Sequence, residues 1–319
     1  MRPRLATLLV LFVGIADASP LPSWAPGPAR DRVLAFVERV AGGDTPVPPP
    51  QRIAVFDNDG TLWAEQPVYF QLQFAMDRVK ELAPRRPEWR TEQPFRAVLE
   101  DDREALAASG KEGLLRLIAE THAGMTTDEF ADIVRAWVTT ARHPRTGHLY
   151  TEMVYQPMLE LLEYLRANGF KTYIVSGGGV EFMRVFAEEV YGVPPEQVIG
   201  SSIRTVFLMT GDGPAIGRLR EIEFIDDKEG KPVAINRFIG RRPIAAFGNS
   251  DGDLQMLQWT AAGGGPSLCA LVRHTDAERE WAYDRESHVG RLDVALDEAA
   301  RLGWLVIDMA EDWERVFAD

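Results

Sequence analysis

Ile53-Ala54-Val55-Phe56-Asp57-Asn58-Asp59-Gly60-Thr61-Leu62-Trp63 reads as an apolar strand that runs into two carboxylates flanking one residue, then a Gly and a Thr. A buried strand ending this way sets Asp57 and Asp59 at its carboxyl edge, where open α/β sheets hold their ligands. Two acids so close are costly unless a cation sits between them or one keeps its proton. Either arrangement suits Mg²⁺-assisted chemistry at phosphorus, with one Asp as nucleophile and the other as acid and base. A calcium loop needs Gly at its sixth position and Glu at its twelfth. Counted from Asp57, those places hold Leu62 and Val68, which excludes it.

Three further polar signals sit just past an apolar run or at a helix start. Ser176 ends Tyr173-Ile174-Val175 and precedes three glycines, whose bare backbone lets N–H groups and the start of a helix at Val180 approach an anion. Phe182 stands where a dinucleotide fingerprint needs its third Gly, so that motif is excluded. Lys231 lies before Pro232 at a helix start, in a chain with only five lysines against thirty arginines. Its compact ammonium suits a phosphoryl oxygen beside acids, with Lys228 as the rival. The last signal is Gly248-Asn249-Ser250-Asp251-Gly252-Asp253, whose side-chain oxygens suit a hard cation.

Outward from these motifs, strand and helix alternate from 157 to 309, which predicts an α/β fold with a Rossmann-like, doubly wound parallel sheet. Strands are expected at 170–175, 198–201, 243–247, 267–272 and 304–309, with a hairpin pair over 203–226 and a helix over 180–191. Residues 64–152 show apolar spacing of three and four with no convincing β run, and read as an all-helical insert with Thr127 as a helix N-cap. The expected division is residues 1–18 as a signal peptide, 19–50 as an arm with one helix, 51–63 and 153–319 as the core, and 64–152 as a helical cap.

The address is at the N-terminus. Arg2 and Arg4 precede an uncharged apolar run from 5 to 15, and Ala16-Asp17-Ala18 forms a small-x-small cleavage site. The run is too short to span a bilayer. A secretory signal cut after Ala18 is expected, giving a periplasmic or secreted protein with no stable membrane association after cleavage. The net charge of −13 argues against nucleic acid and anionic membranes as partners. Cys269 is the single cysteine, so neither an intrachain disulfide nor a cysteine zinc site is available, and it reads as a core residue.

The ordered set Asp57-Asn58-Asp59-Gly60-Thr61, Ser176-Gly177-Gly178, Lys231 and Gly248-to-Leu254 resembles the haloacid dehalogenase (HAD) superfamily, and most its phosphoserine-phosphatase-like branch. The resemblance covers 51–63 and about 155–260. It implies that Asp57 attacks phosphorus to form an aspartyl-phosphate, that Asp59 shuttles the proton, and that Ser176, Gly177 and Lys231 hold the phosphoryl group. It also implies Mg²⁺ on Asp57, the Asp59 carbonyl and the fourth motif, with Asn249, Asp253 and Asp251 as candidates. The acid at 59 favours ester hydrolysis over carbon–halogen cleavage. Where the family usually has Asp, this chain has Asn249, which brings an amide oxygen and no charge. The expected activity is Mg²⁺-dependent hydrolysis of a small phosphorylated metabolite. A phosphotransferase or phosphonatase would use the same groups, and Asn249 leaves open a non-catalytic periplasmic protein binding a phosphate ligand. Glu65, Arg142, His143 and Tyr155 flank the insert and are expected as surface or hinge residues.

Overall fold

The computed structural model describes residues 20–318, so the expected signal peptide and its cleavage point lie outside the described residues. The strands are β1 (Ile53–Phe56), β2 (Lys171–Gly179), β3 (Val198–Thr210), β4 (Gly213–Phe224), β5 (Ala245–Gly248), β6 (Leu268–Thr275), β7 (Ala282–Tyr283) and β8 (Leu305–Asp308). β3, β2, β1, β5, β6 and β8 lie side by side in that order and run parallel, while β4 pairs antiparallel with β3 and β7 with β6.

β1 is the centre of this α/β fold. Its side chains alternate between two cores, as the two-residue pleat requires. Ala54 and Phe56 join the cluster that includes Val37, Leu161 and Phe182, and Ile53 and Val55 join the one with Met256, Leu257 and Ala295. The chain winds outward from β1 to β2 and β3 on one side and from β5 to β6 and β8 on the other. The carboxyl end of β1 is therefore the switch point of a doubly wound sheet, the place where a crevice opens.

Between β1 and β2, residues 64–152 carry the α-helices Phe70–Leu82, Phe95–Leu99, Arg103–Ala108, Gly110–His122 and Thr127–Val138 and no strand. Thr126, not Thr127, caps the last of these. Its hydroxyl accepts from the Glu129 N–H, and the Glu129 carboxylate accepts from the Thr126 N–H. Ahead of β1, the arm folds as a helix over Pro28–Gly42.

Three expected boundaries differ. β3 is one continuous strand of 13 residues instead of a short strand followed by a separate hairpin, because nothing between Ser201 and Thr210 breaks the extended chain. β2 continues past Ser176 to Gly179, with an irregular register between those two residues against β3. Glycines without side chains allow such a bulge, and bulges recur beside active sites. The expected helix over 180–191 is two short helices, Val180–Arg184 and Ala187–Tyr191. Cys269 is buried in β6 as expected of a core residue. No described helix is long and apolar enough to cross a membrane.

Candidate active site

The loop after β1 folds back on itself. Asn58 O accepts from the N–H groups of Thr61 and Leu62, and the Gly60 N–H donates to Trp63 O. Gly60 adopts φ +73°, and a Cβ there would lie 2.0 Å from Asn249 Nδ2 and 2.4 Å from Glu65 Oε1. Only glycine satisfies both the left-handed backbone and the close approach. Asp57 is tied to the neighbouring strand, since its N–H donates to Phe247 O.

Lys231 is buried at the start of the helix Gly230–Ala234. Its ammonium donates to Asp57 Oδ1 at 2.6 Å, Asp253 Oδ1 at 2.6 Å and the Val175 carbonyl at 2.9 Å, which uses all three protons. Burial alone would lower the pKa of Lys231, but Asp253 and Asp57 outweigh burial and raise it. Lys228, the rival, is exposed on the rim of the cavity.

Asp253 also organises its own loop. Its Oδ2 accepts from the N–H groups of Asn249 and Ser250 at 3.0 Å each and from the Ser250 hydroxyl. Asn249 accepts from the Thr61 hydroxyl through Oδ1 at 3.0 Å and donates through Nδ2 to Glu65 Oε1 at 2.7 Å. Asp251 turns elsewhere: its Oδ1 accepts from the N–H groups of Asp293 and Ala295, at the start of the helix Val294–Leu302.

Asp59 faces the cavity opposite Lys231, with its Oδ1 accepting from Trp63 Nε1 at 2.8 Å. Burial pushes its carboxyl up to about 6, and the Trp63 hydrogen bond and the Lys231 charge pull the other way. Asp57 is raised well above the usual carboxylate range by burial and then by Asp253, against the opposing pull of Lys231. Ser176 is buried beside them, and its Oγ accepts from the Gly178 N–H at 3.1 Å, which leaves its own proton to donate. The Gly179 N–H is engaged by Gln71 Oε1, so this loop is already anchored to the helical insert.

Sequence reasoning placed Glu65, His143 and Tyr155 at the surface or a hinge, and the structure buries all three while Arg142 is exposed. Glu65 is the consequential one. Its Oε1 accepts from both Asn249 and the Tyr283 hydroxyl at 2.8 Å, and burial raises it well above the usual range. Two other groups went unnoticed. Asp226 is fully buried, and burial raises it to about 7 against the opposing pull of Lys231. His274 Nε2 lies 2.8 Å from the Gly60 carbonyl and its Nδ1 lies 3.1 Å from Glu280 Oε2, so a buried His274–Glu280 contact at the end of β6 braces the Asp59–Thr61 turn. His274 comes from β6, 214 residues from Gly60, so no spacing rule reaches it, and Asp226 stands close before Lys231 but in no motif of its own.

Asp57, Asp59, Ser176, Gly177 and Lys231 all line one cavity of about 640 Å³, whose far wall is the helix Gly110–His122 and the β3–β4 hairpin. Asn249 and Asp253 lie directly beneath it, held to Thr61 and Lys231. The donor chemistry suits Mg²⁺. Asp57 and Asp253 share a single buried ammonium that Asp59 does not contact, and a divalent cation would offset the carboxylate charge that burial disfavours. Among the described residues no three His, Cys, Asp or Glu side chains form a ready metal cage. Mg²⁺ characteristically takes one or two carboxylates and keeps waters, so such a cage is not required.

Comparison with known proteins gives the same outline. No curated protein sequence matches the chain. Among solved structures, a conserved functionally unknown protein from Anaerococcus prevotii DSM 20548 is similar at TM-score 0.50 and 16% identity, covering 87% of this chain and 90% of that one. A protein with unknown function from Bordetella pertussis Tohama I has TM-score 0.50 and 17% identity, covering 81% and 99%. A phosphoserine phosphohydrolase-like protein from Francisella tularensis subsp. tularensis SCHU S4 has TM-score 0.38 and 17% identity, covering 79% and 99%. The model of the haloacid dehalogenase-like hydrolases matches residues 54–258, from the strand that delivers Asp57 to the helix after Asp253. That span holds every motif of the cavity floor and most of the chain, and the protein belongs to the haloacid dehalogenase-like hydrolase family.

Proposed function

We propose that this protein is a Mg²⁺-dependent phosphatase that hydrolyses a small phosphomonoester through an aspartyl-phosphate on Asp57. The observation that carries this reading is the bridge from Lys231 to Asp57 and Asp253, beside Asp59 on the same cavity. Lys231 engages Oδ1 of Asp57 and leaves Oδ2 for attack. Oδ2 forms a bond to phosphorus as the ester P–O bond breaks, and protonated Asp59 gives its proton to the departing alkoxide. Asp59, now a carboxylate, takes a proton from a water that attacks the phosphorus, releasing inorganic phosphate and restoring Asp57. Ser176 Oγ–H and the Gly177 backbone line the place where the phosphoryl oxygens gather. Mg²⁺, held by Asp57, the Asp59 carbonyl and Asn249, would supply charge neutralisation for the nucleophile and the phosphoryl oxygens.

Asp253 accepts four bonds, from Lys231 and its own loop, whereas Asn249 Oδ1 accepts only one, from Thr61, so Asn249 has the freer oxygen for the cation. Asp251, bound to the start of another helix, is the weakest of the ligand candidates. Residues 64–152 serve in this reading as the cap, and the N-terminal address makes the protein periplasmic or secreted. The test is turnover of p-nitrophenyl phosphate with Mg²⁺ and with EDTA, for wild type and Asp57→Asn. Metal-dependent hydrolysis abolished by the substitution supports the reading. No hydrolysis of this or a broad ester panel overturns it.

A further inference from the structure

The cavity has two chemistries. Its floor is polar, and its outer wall is aliphatic: Leu114, Leu115 and Ile118 from the helix Gly110–His122, Ile203 from β3, Ile222 from β4, and Ile225 just beyond β4. None of these six belongs to any of the three hydrophobic clusters of the described chain. They are apolar side chains from a helix, the β3–β4 hairpin and the segment after it that meet at a shared space, with Ile203 the buried one of the six. Leu114 is 37% exposed.

Several of the polar groups bordering that space are already committed, while Ser202 and the exposed Asp227 and Glu229 also line it. Gln71 accepts from the Gly179 N–H and contacts His122 Nε2, and Arg218 donates to the His122 carbonyl and pairs with Glu181. The Ser201 hydroxyl donates to the Gly177 carbonyl and accepts from the Asp226 N–H. A leaving group rich in hydroxyls or amines would give up water there and find few partners, which is costly. Phe130 and Phe182 also border the cavity, but both pack against Phe74 in the core, so neither offers a free face for a stacked base. Lys111 and Lys228 stand exposed at the rim, where their charges stay in water.

We infer that the alcohol released by this site is aliphatic: the substrate is a phosphate monoester of an alkyl or isoprenoid-like alcohol, its chain lying along Leu114, Leu115, Ile118, Ile203, Ile222 and Ile225. The assignment rests on the phosphatase reading of the floor and adds the substrate class. Pockets of this size bury most of a small ligand, and their apolar lining supplies affinity while a few polar groups fix its orientation.

The test is kcat/KM for n-alkyl phosphates from ethyl to octyl, with phosphoserine as the polar comparison, using the full chain with Mg²⁺. In parallel, calorimetry measures Kd for butylphosphonate and octylphosphonate, which cannot be hydrolysed. The expected result is a rise of about fourfold per added CH₂, phosphoserine well below octyl phosphate, and a flattened slope in Leu114→Gln, a change that a partly exposed position tolerates. A flat series, or phosphoserine preferred, overturns the aliphatic assignment and leaves the phosphatase reading standing. No turnover, with octylphosphonate still bound more tightly than butylphosphonate, overturns the catalytic reading and supports the assigned ligand class. Neither turnover nor a chain-length dependence in Kd overturns both.

Discussion

Lys231 Nζ stands 2.6 Å from Asp57 Oδ1 and 2.6 Å from Asp253 Oδ1, so a single ammonium ties the end of β1 to the loop after β5. All three side chains are buried. Breaking a buried pair by removing one partner costs about 3–5 kcal/mol. Lys231→Met should cut kcat/KM by at least about 100-fold, because Asp57 then loses the buried ammonium that opposes its protonation. Asp253→Asn should destabilise the fold in urea and leave some activity. Lys231→Met with unchanged kcat/KM would remove this bridge from the mechanism.

Asn249 and Glu65 form a second pair that can be read by exchange. The amide donates to Glu65 Oε1 at 2.7 Å, so Asn249→Asp would set two carboxylates against each other in a buried place. The expected outcome is a loss of about 2 kcal/mol in EDTA, measured by urea unfolding. Adding Glu65→Gln should restore most of it, since Gln can donate to the new Asp. Mg²⁺ should raise Tm more in the double variant than in wild type, because the acid now at 249 brings charge to the cation. Equal Mg²⁺ shifts would show that residue 249 lies outside the metal site.

Asp59 should govern the pH profile. It must be protonated to release the alcohol and ionised to activate water, and burial holds it at about 6. Rates should peak near that value and fall on both sides. Trp63→Phe keeps a ring beside Phe186, which stacks at 4.7 Å, but removes the Nε1 donor that favours the carboxylate. The whole profile should then move to higher pH. An unmoved profile would assign the proton shuttle to another group.

Asp226, beside Ser176 and Lys231, offers a stability test. Its carboxyl is raised to about 7 by burial, against an ordinary 3.8. The folded state therefore holds the proton more tightly than the unfolded one. The favourable contribution is complete below about pH 4 and is lost as pH rises through 7. Asp226→Asn should consequently stabilise the protein at pH 8, by up to about 4 kcal/mol, and make no difference at pH 4. Urea midpoints of both proteins across that range decide it, and a variant less stable at pH 8 would contradict the assignment.

The central strand, the switch-point placement and the floor of the cavity were legible because each motif is a local event: an apolar run, then polar residues at a strand end. Asp57, Asp59, Ser176 and Lys231 converge for that reason. Glu65 was unreadable, since its partners Asn249 and Tyr283 lie 184 and 218 residues away. His274 sits in a β6 segment that reads as ordinary core, and its contact with Gly60 spans 214 residues. The aliphatic wall was hidden for a different reason. Leu114, Leu115 and Ile118 fit helical apolar spacing, and periodicity does not say whether such a face meets a core or a cavity.

The most direct test of the central claim is covalent. The full chain is mixed with radiolabelled p-nitrophenyl phosphate and Mg²⁺, quenched in acid during turnover, digested, and the labelled peptide sequenced by mass spectrometry. The account predicts a hydroxylamine-labile phosphoryl group on the peptide containing Asp57 and none in Asp57→Asn. Turnover that proceeds with no label on Asp57, or with the label on another residue, would contradict it.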